Sequence, residues 1–149
     1  MKRHVVILAT ALCLCTVPFP AQAHHAYGLF FDLCTSVAIE GQVDNVQWKD
    51  PHVWIALTMA DGTAYRAEWT SLRGLTNRGI TTDALKAGDR VVVTGSPPKD
   101  PASIRDPAVR ALMPDPAIKV VSALSEIRRA RDGWSWRLDP ESKPECGRK

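Results

Sequence analysis

The sequence lacks the short motifs that mark common enzyme active sites. It contains no Gly-x-Ser-x-Gly turn, no His-Glu-x-x-His zinc motif and no glycine-rich phosphate loop. It also has no internal repeat. Asp50 and Glu68 could flank a cleft, but two acids out of sixteen do not identify a catalytic pair, and surface solvation is the favoured interpretation. We therefore predict no catalytic residue, and the sequence favours a binding protein over an enzyme.

The chain also lacks a large net charge once its first residues are set aside. Lys plus Arg number 19 and Asp plus Glu number 16, which gives +3 for all 149 residues. Residues 1–23 contain Lys2 and Arg3 and no acid, so the remainder carries 17 − 16 = +1. A domain this close to neutrality lacks the broad basic surface of a nucleic-acid binder. We predict no nucleic-acid partner.

A single apolar run stands at the N-terminus of the sequence, and it is too short to span a membrane. A basic start precedes the apolar residues 5–17, and prolines end the run before the roughly 20 residues that a membrane helix needs. Residues 21–23, Ala-Gln-Ala, have the small-x-small pattern of a cleavage site. We predict a signal peptide over residues 1–23, cleaved after Ala23. The protein would then be periplasmic or secreted, with no membrane span after cleavage.

Cysteine is scarce in the mature chain. Of four cysteines, two would leave with the signal peptide, and Cys34 and Cys146 would remain. In an oxidising compartment an even pair favours one disulfide, and two free thiols are the alternative. Neither cysteine has the Cys-x-x-Cys spacing of a metal site. We predict a Cys34–Cys146 disulfide that ties the C-terminal tail to the start of the first strand.

The sequence is rich in the pattern of β-strands. Residues 53–59 alternate strictly between an apolar and a more polar face, which predicts a strand with one face buried. Residues 37–48 alternate as well, but their apolar phase shifts, which predicts a β-bulge near Asp44–Asn45. Further elements are predicted as strands at 63–69, 90–95 and 118–127, a weaker strand at 108–113, and a short helix at 71–77. Residues 133–138 alternate as a last short strand or an aromatic flap.

This order of elements predicts an all-β fold, a small antiparallel OB-like Greek-key barrel with a short helical insert between strands 3 and 4. A β-sandwich is the alternative. The barrel domain would cover residues 24–138, followed by a polar tail over 139–149. The predicted core consists of Val43, Val53, Ile55, Leu57, Trp69, Val91 and Val93.

Histidine is scarce too, yet two histidines would stand at the very start of the mature chain. Cleavage after Ala23 would make His24 the first residue, so its α-amine and its own imidazole could chelate one metal ion. A third nitrogen from His25 or His52 would complete a T-shaped set, and nitrogen ligands in square geometry favour Cu(II). We predict a copper or related metal site formed by His24, His25 and His52. The alternative is a flexible polar N-terminus and a His52 that only bonds a turn.

Five tryptophans suggest a second function. Their strand phases put Trp69 in the core and leave four candidates for an exposed aromatic face: Trp48, Trp54, Trp134 and Trp136. Such a face would make the protein a metal-free module that binds a protein or a glycan. Core packing is the alternative role for any one of these side chains.

Several stretches of the sequence match a known family. They are His24-His25, Phe31-Asp32, Glu40-Gly-Gln-Val43, Trp48-Lys-Asp-Pro-His52-Val-Trp54, Leu85 to Gly95 and Pro98-Lys-Asp100. On these stretches the chain resembles a bacterial secreted family, domain-of-unknown-function family 6152. Its members usually carry Asn-Pro-His where this chain has Asp50-Pro51-His52. The resemblance implies a small exported β-barrel and no established activity.

Overall fold

The computed structural model describes residues 27–100, 102, 107, 119–139 and 141. The helices and strands in this part of the chain are, in order, α1 (Tyr27–Phe30), β1 (Val37–Gln47), β2 (Trp54–Thr58), β3 (Ala64–Glu68), α2 (Leu72–Thr76), β4 (Arg90–Ser96), β5 (Lys119–Arg129) and β6 (Ser135–Arg137). The predicted signal peptide, the predicted strand at 108–113 and most of the predicted tail lie outside the described residues.

Five of the strands close into a barrel. β1 pairs antiparallel with β2 and β4, β2 with β3, and β4 with β5. A pairing between β3 and β5 closes the ring, and β6 adds to β5. The order β3-β2-β1-β4 is that of a Greek key. The predicted all-β barrel is therefore confirmed, and the β-sandwich is not what forms.

Every strand pair in the barrel is antiparallel except the one that closes it. β3 and β5 run parallel where they pair. The reason is geometric. When five strands alternate in direction around a ring, the last pair to meet must point the same way.

The barrel interior contains the predicted core. All seven predicted core residues are buried, and none is more than 1% exposed. The predicted bulge is confirmed as well, since the register between β1 and β2 shifts between Val43 and Asn45. Val43 and Val46 would face opposite sides of a regular strand, and the bulge lets Val46 pack against the same core.

The predicted helix between strands 3 and 4 is α2. Ser71 is its N-cap, and the Ser71 hydroxyl accepts a hydrogen bond from the Gly74 N–H at 3.1 Å. Leu75 is fully buried and anchors the helix to the barrel core.

The segment before β1 is fastened to the barrel through residues 97–99. Phe31 is buried and forms a β-bridge with Pro98. The Lys99 N–H donates to the carbonyl of Phe30 at 2.8 Å. These bonds hold α1, and with it Tyr27, against the outer surface of the barrel.

Candidate functional site

A polar cluster of Tyr27, His52, Glu68 and Ser122 lies on the outer surface of the barrel. Side chains alternate along a strand, so Glu68 points away from the core that its neighbours Ala67 and Trp69 enter. The residue after His52, Val53, accepts the N–H of Trp69 through its carbonyl at 2.8 Å. This bond brings His52 alongside the end of β3.

Ser122 reaches the cluster from the point where β5 changes its partner strand. Val121 pairs with Ala67 of β3, whereas Ser122 pairs with Ser96 of β4. The next residue, Ala123, has φ = 47°, in the left-handed region that a non-glycine residue rarely adopts. The barrel closure and a strained residue therefore coincide with the cluster.

Both oxygens of the Glu68 carboxylate are engaged. His52 Nδ1 lies 2.5 Å from Glu68 Oε1, and the Ser122 hydroxyl donates to Glu68 Oε2 at 2.5 Å. The Tyr27 hydroxyl lies 3.3 Å from His52 Nε2 and 3.4 Å from Nδ1. The rings of Tyr27 and His52 are 5.8 Å apart between centroids.

This geometry defines which nitrogen of His52 is available. A carboxylate only accepts hydrogen bonds, so His52 Nδ1 carries the proton toward Glu68. In the neutral ring Nε2 then keeps its lone pair. The His52 side chain is 29% exposed, while that of Glu68 is 11% exposed. An oriented imidazole backed by a carboxylate can act as a metal ligand or as a base.

Burial raises the pKa of the Tyr27 phenol well above its usual range, and the neighbouring Glu68 charge and its hydrogen bond raise it further. Ser122 opposes the shift to a smaller degree. The Tyr27 hydroxyl therefore stays protonated at neutral pH and remains a hydrogen-bond donor.

Of the predicted metal ligands, His52 belongs to this cluster, while His24 and His25 lie outside the described residues. Within the described part of the chain, no group of three His, Cys, Asp or Glu side chains could hold a metal ion. A metal site that joins His52 to two more such side chains would therefore need a ligand outside the described residues.

Two of the four tryptophans predicted for an exposed face pack on Trp69 instead. Trp136 is only 5% exposed, and its ring meets that of Trp69 edge-on at 5.2 Å. Trp48 is partly buried, with its ring 5.8 Å from the same residue. An exposed position for Trp136 is wrong, because β6 turns this ring into the barrel core.

The other two tryptophans are half-buried under arginines. Trp54 lies opposite Glu68 in the β2–β3 pair, on the outer face, with Arg66 at 4.8 Å from its ring. Trp134 packs against the core, and the guanidinium of Arg129 lies 5.2 Å from its ring.

Sequence reasoning missed three members of the cluster. The interpretation of Glu68 as a solvated surface acid is wrong, because Tyr27, His52 and Ser122 cover it. Asp50, by contrast, is exposed. Neither Tyr27 nor Ser122 stood out in the sequence, although Tyr27 follows the two N-terminal histidines closely.

The predicted disulfide pairs Cys34, a described and exposed residue, with Cys146, which lies outside the described residues. The Cys34–Cys146 pairing therefore stays a prediction.

Fold and cluster together define a small Greek-key β-barrel protein with a histidine–carboxylate pair on its outer wall. A family model described as a family of unknown function, DUF6152, matches residues 11–104, which is more than half of the chain. The chain belongs to this family. The matched range contains Tyr27, His52 and Glu68. A comparison with curated proteins finds no significant match. Among the described residues, no helix is long and apolar enough to cross a membrane.

Proposed function

We propose that this protein is exported and binds a transition-metal ion, copper by preference, at its mature N-terminus. The ligands would be the α-amine and imidazole of His24 together with Nε2 of His52, with His25 as the alternative third donor. The observation that carries the proposal is the contact between Tyr27 and His52, 3.3 Å from hydroxyl to Nε2. His24 precedes Tyr27 by three residues, at most about 11 Å of extended chain. His52 is therefore within reach of the mature N-terminus.

The Glu68 carboxylate gives the proposal further support. Metal-bound histidines commonly donate their second ring nitrogen to a carboxylate, which fixes the ring orientation and makes the ligand nitrogen more basic. Glu68 holds Nδ1 in this way at 2.5 Å, so Nε2 is the nitrogen that would bind the metal, in place of its 3.3 Å contact with the Tyr27 hydroxyl. The ring is also exposed enough for the N-terminal segment to approach it.

The metal-free aromatic module receives less support. It requires Trp48, Trp54 and Trp134 to converge on one exposed patch. Trp48 and Trp134 pack against the core, whereas Trp54 is on the outer face beside Glu68.

The test compares the mature protein that begins at His24 with a version that carries one extra residue before it. Only a free α-amine on His24 can close a chelate ring with its own imidazole. We expect the extension to weaken Cu(II) binding by roughly tenfold or more, measured by calorimetric titration against a competing chelator. Equal affinities would rule out the proposed chelate. Binding should also weaken as pH falls, because the amine and both imidazoles bind only when deprotonated.

Side-chain variants then identify the third nitrogen. His52→Ala should lower the affinity if Nε2 of His52 is the donor, whereas a loss confined to His25→Ala would mean a site local to the N-terminus. Asp50→Ala is the control, since Asp50 is exposed and stands two residues before His52. The intact mass of the exported protein checks the processing, because a start at Ala26 or later would remove both N-terminal histidines.

A further inference from the structure

A second surface, made of residues other than those of the His52 cluster, has the features of a ligand-binding site. Where β1, β4, β5 and β6 lie side by side, the outer face of the sheet holds a groove of about 350 Å³. The small residues in its lining include Val92, Ala130, Gly133 and Ser135. Its walls are long charged side chains: Glu40, Arg90, Glu126, Arg128 and Arg137.

Strand register explains the shape of the groove. Val92 of β4 lies directly between Glu40 of β1 and Arg128 of β5, and Arg128 lies opposite Ser135 of β6. Directly paired residues project from the same face of a sheet. A row that alternates long and small side chains therefore leaves an opening above Val92 and Ser135.

The walls carry an excess of one positive charge. Three arginines, Arg90, Arg128 and Arg137, stand against the two glutamates, so the sum is 3 − 2 = +1. A fourth arginine in the lining, Arg129, is buried and paired with Asp132.

Arg128 is the arginine with the most donors left for a ligand. Arg137 contacts Glu126 Oε1 through two nitrogens, both at 2.8 Å, and Arg90 reaches Glu40 at 3.3 Å. Arg128 approaches Glu126 only to 3.8 Å, too far for a hydrogen bond, and its side chain is 59% exposed. Its guanidinium can therefore present a pair of N–H groups to the groove.

We propose that this groove binds a monocarboxylate with an apolar body. The carboxylate pairs with the Arg128 guanidinium, whose planar donors match two oxygens at once. The apolar body lies on Val92. The single excess charge of the walls matches one negative charge, and the two glutamates disfavour a ligand with two charges at one end.

The test uses benzoate as the probe and side-chain ¹⁵N NMR of the arginine Nε–H groups as the readout. Benzoate should shift the Arg128 signal with saturation, and neutral benzamide, of nearly the same shape, should bind roughly tenfold more weakly or worse. Arg128→Gln should weaken benzoate binding to the same degree. Arg78→Gln, a change at an exposed arginine outside the groove, should leave it unchanged.

Three outcomes would overturn the proposal. Benzoate and benzamide could bind alike, Arg128→Gln could bind benzoate like the parent protein, or phenyl phosphate could bind more tightly than benzoate. Because Arg128 is largely exposed, its replacement should leave the barrel folded, and the backbone amide spectrum checks this directly.

Discussion

Two polar clusters lie at the margin of the apolar core, one around Arg129 and one around His52. Each contains an acid whose side chain is largely covered, Asp89 in the first and Glu68 in the second. In the Arg129 cluster, Arg129 Nε and one terminal nitrogen donate to the two oxygens of Asp132 at 2.9 and 2.8 Å. Its other terminal nitrogen donates to the carbonyl of Ala84 and lies 3.5 Å from Asp89.

The two clusters differ in whether a polar atom remains accessible to a ligand. Arg129 directs all three of its nitrogens to oxygens of the protein and has a side chain that is 8% exposed. His52 is more open, and its Nε2 meets the Tyr27 hydroxyl at a long 3.3 Å. A saturated cluster stabilises the fold, whereas a cluster with an oriented, accessible lone pair can bind a ligand.

The largest effect on the free energy of unfolding is expected at the Arg129 cluster. Arg129→Ala would remove the main partner of Asp132 and one partner of the buried Asp89. Breaking a buried pair costs about 3–5 kcal/mol, and we expect about 2–3 kcal/mol here, because Asp89 keeps Arg131 and the Lys86 N–H. Urea unfolding measures this loss, and Arg78→Ala is the exposed control. A loss below 1 kcal/mol would contradict the role assigned to the Arg129 cluster.

Glu68→Gln, in the His52 cluster, should lower the Cu(II) affinity much more than the free energy of unfolding. The change keeps the size of the side chain but removes the charge that supports His52, so Cu(II) affinity should fall about tenfold. The unfolding free energy should fall by only about 1 kcal/mol. The pKa of the Tyr27 phenol should also fall toward its usual value, because Glu68 contributes to raising it.

Glu40→Gln is the matched control for that experiment, since Glu40 is an exposed glutamate with one surface ion pair. Titration against a competing chelator measures the copper affinity, and absorbance at alkaline pH follows the phenol. If both glutamine variants bound copper like the parent protein, Glu68 would not position His52.

The sequence predicted the barrel far better than the cluster, for a physical reason. Alternation along β2 identifies Ile55 and Leu57 as core residues, because burial of one face repeats every second residue. The same alternation puts Glu68 on the outside and cannot indicate what covers that outer face. Ser122, 54 positions later, and the N-terminal Tyr27 supply this cover. Trp136 follows the same rule, because it alternates with the exposed Ser135 and Arg137 and its ring enters the core.

A smaller effect is expected from the strained residue beside the open cluster. Ala123 has φ = 47°, and glycine adopts this conformation without a steric penalty. Ala123→Gly should therefore stabilise the protein by about 0.5–1 kcal/mol in urea unfolding. Ala38→Gly, at an exposed position in β1 with ordinary φ, should instead destabilise it by a similar amount. If both substitutions were destabilising, the left-handed residue would carry no strain that glycine relieves.

The smallest effect is expected in the way the free energy of unfolding falls at acid pH, through Asp132 of the Arg129 cluster. The hydrogen bonds from Arg129 hold the pKa of the Asp132 carboxyl below its ordinary value of 3.8, and the Trp134 N–H lowers it further. A carboxyl with a lower pKa in the folded state stabilises the fold fully above its unfolded value, and this contribution is lost as pH falls below about 4. Asp132 is 45% exposed, so water screens the interaction and the effect should be modest. Asp132→Asn keeps the side-chain shape and removes the titrating carboxyl, so the free energy of unfolding should depend less on pH below pH 4. Urea unfolding at a series of pH values between 3 and 6 measures this dependence. An unchanged acid slope would mean that the Arg129–Asp132 pair contributes through its geometry alone.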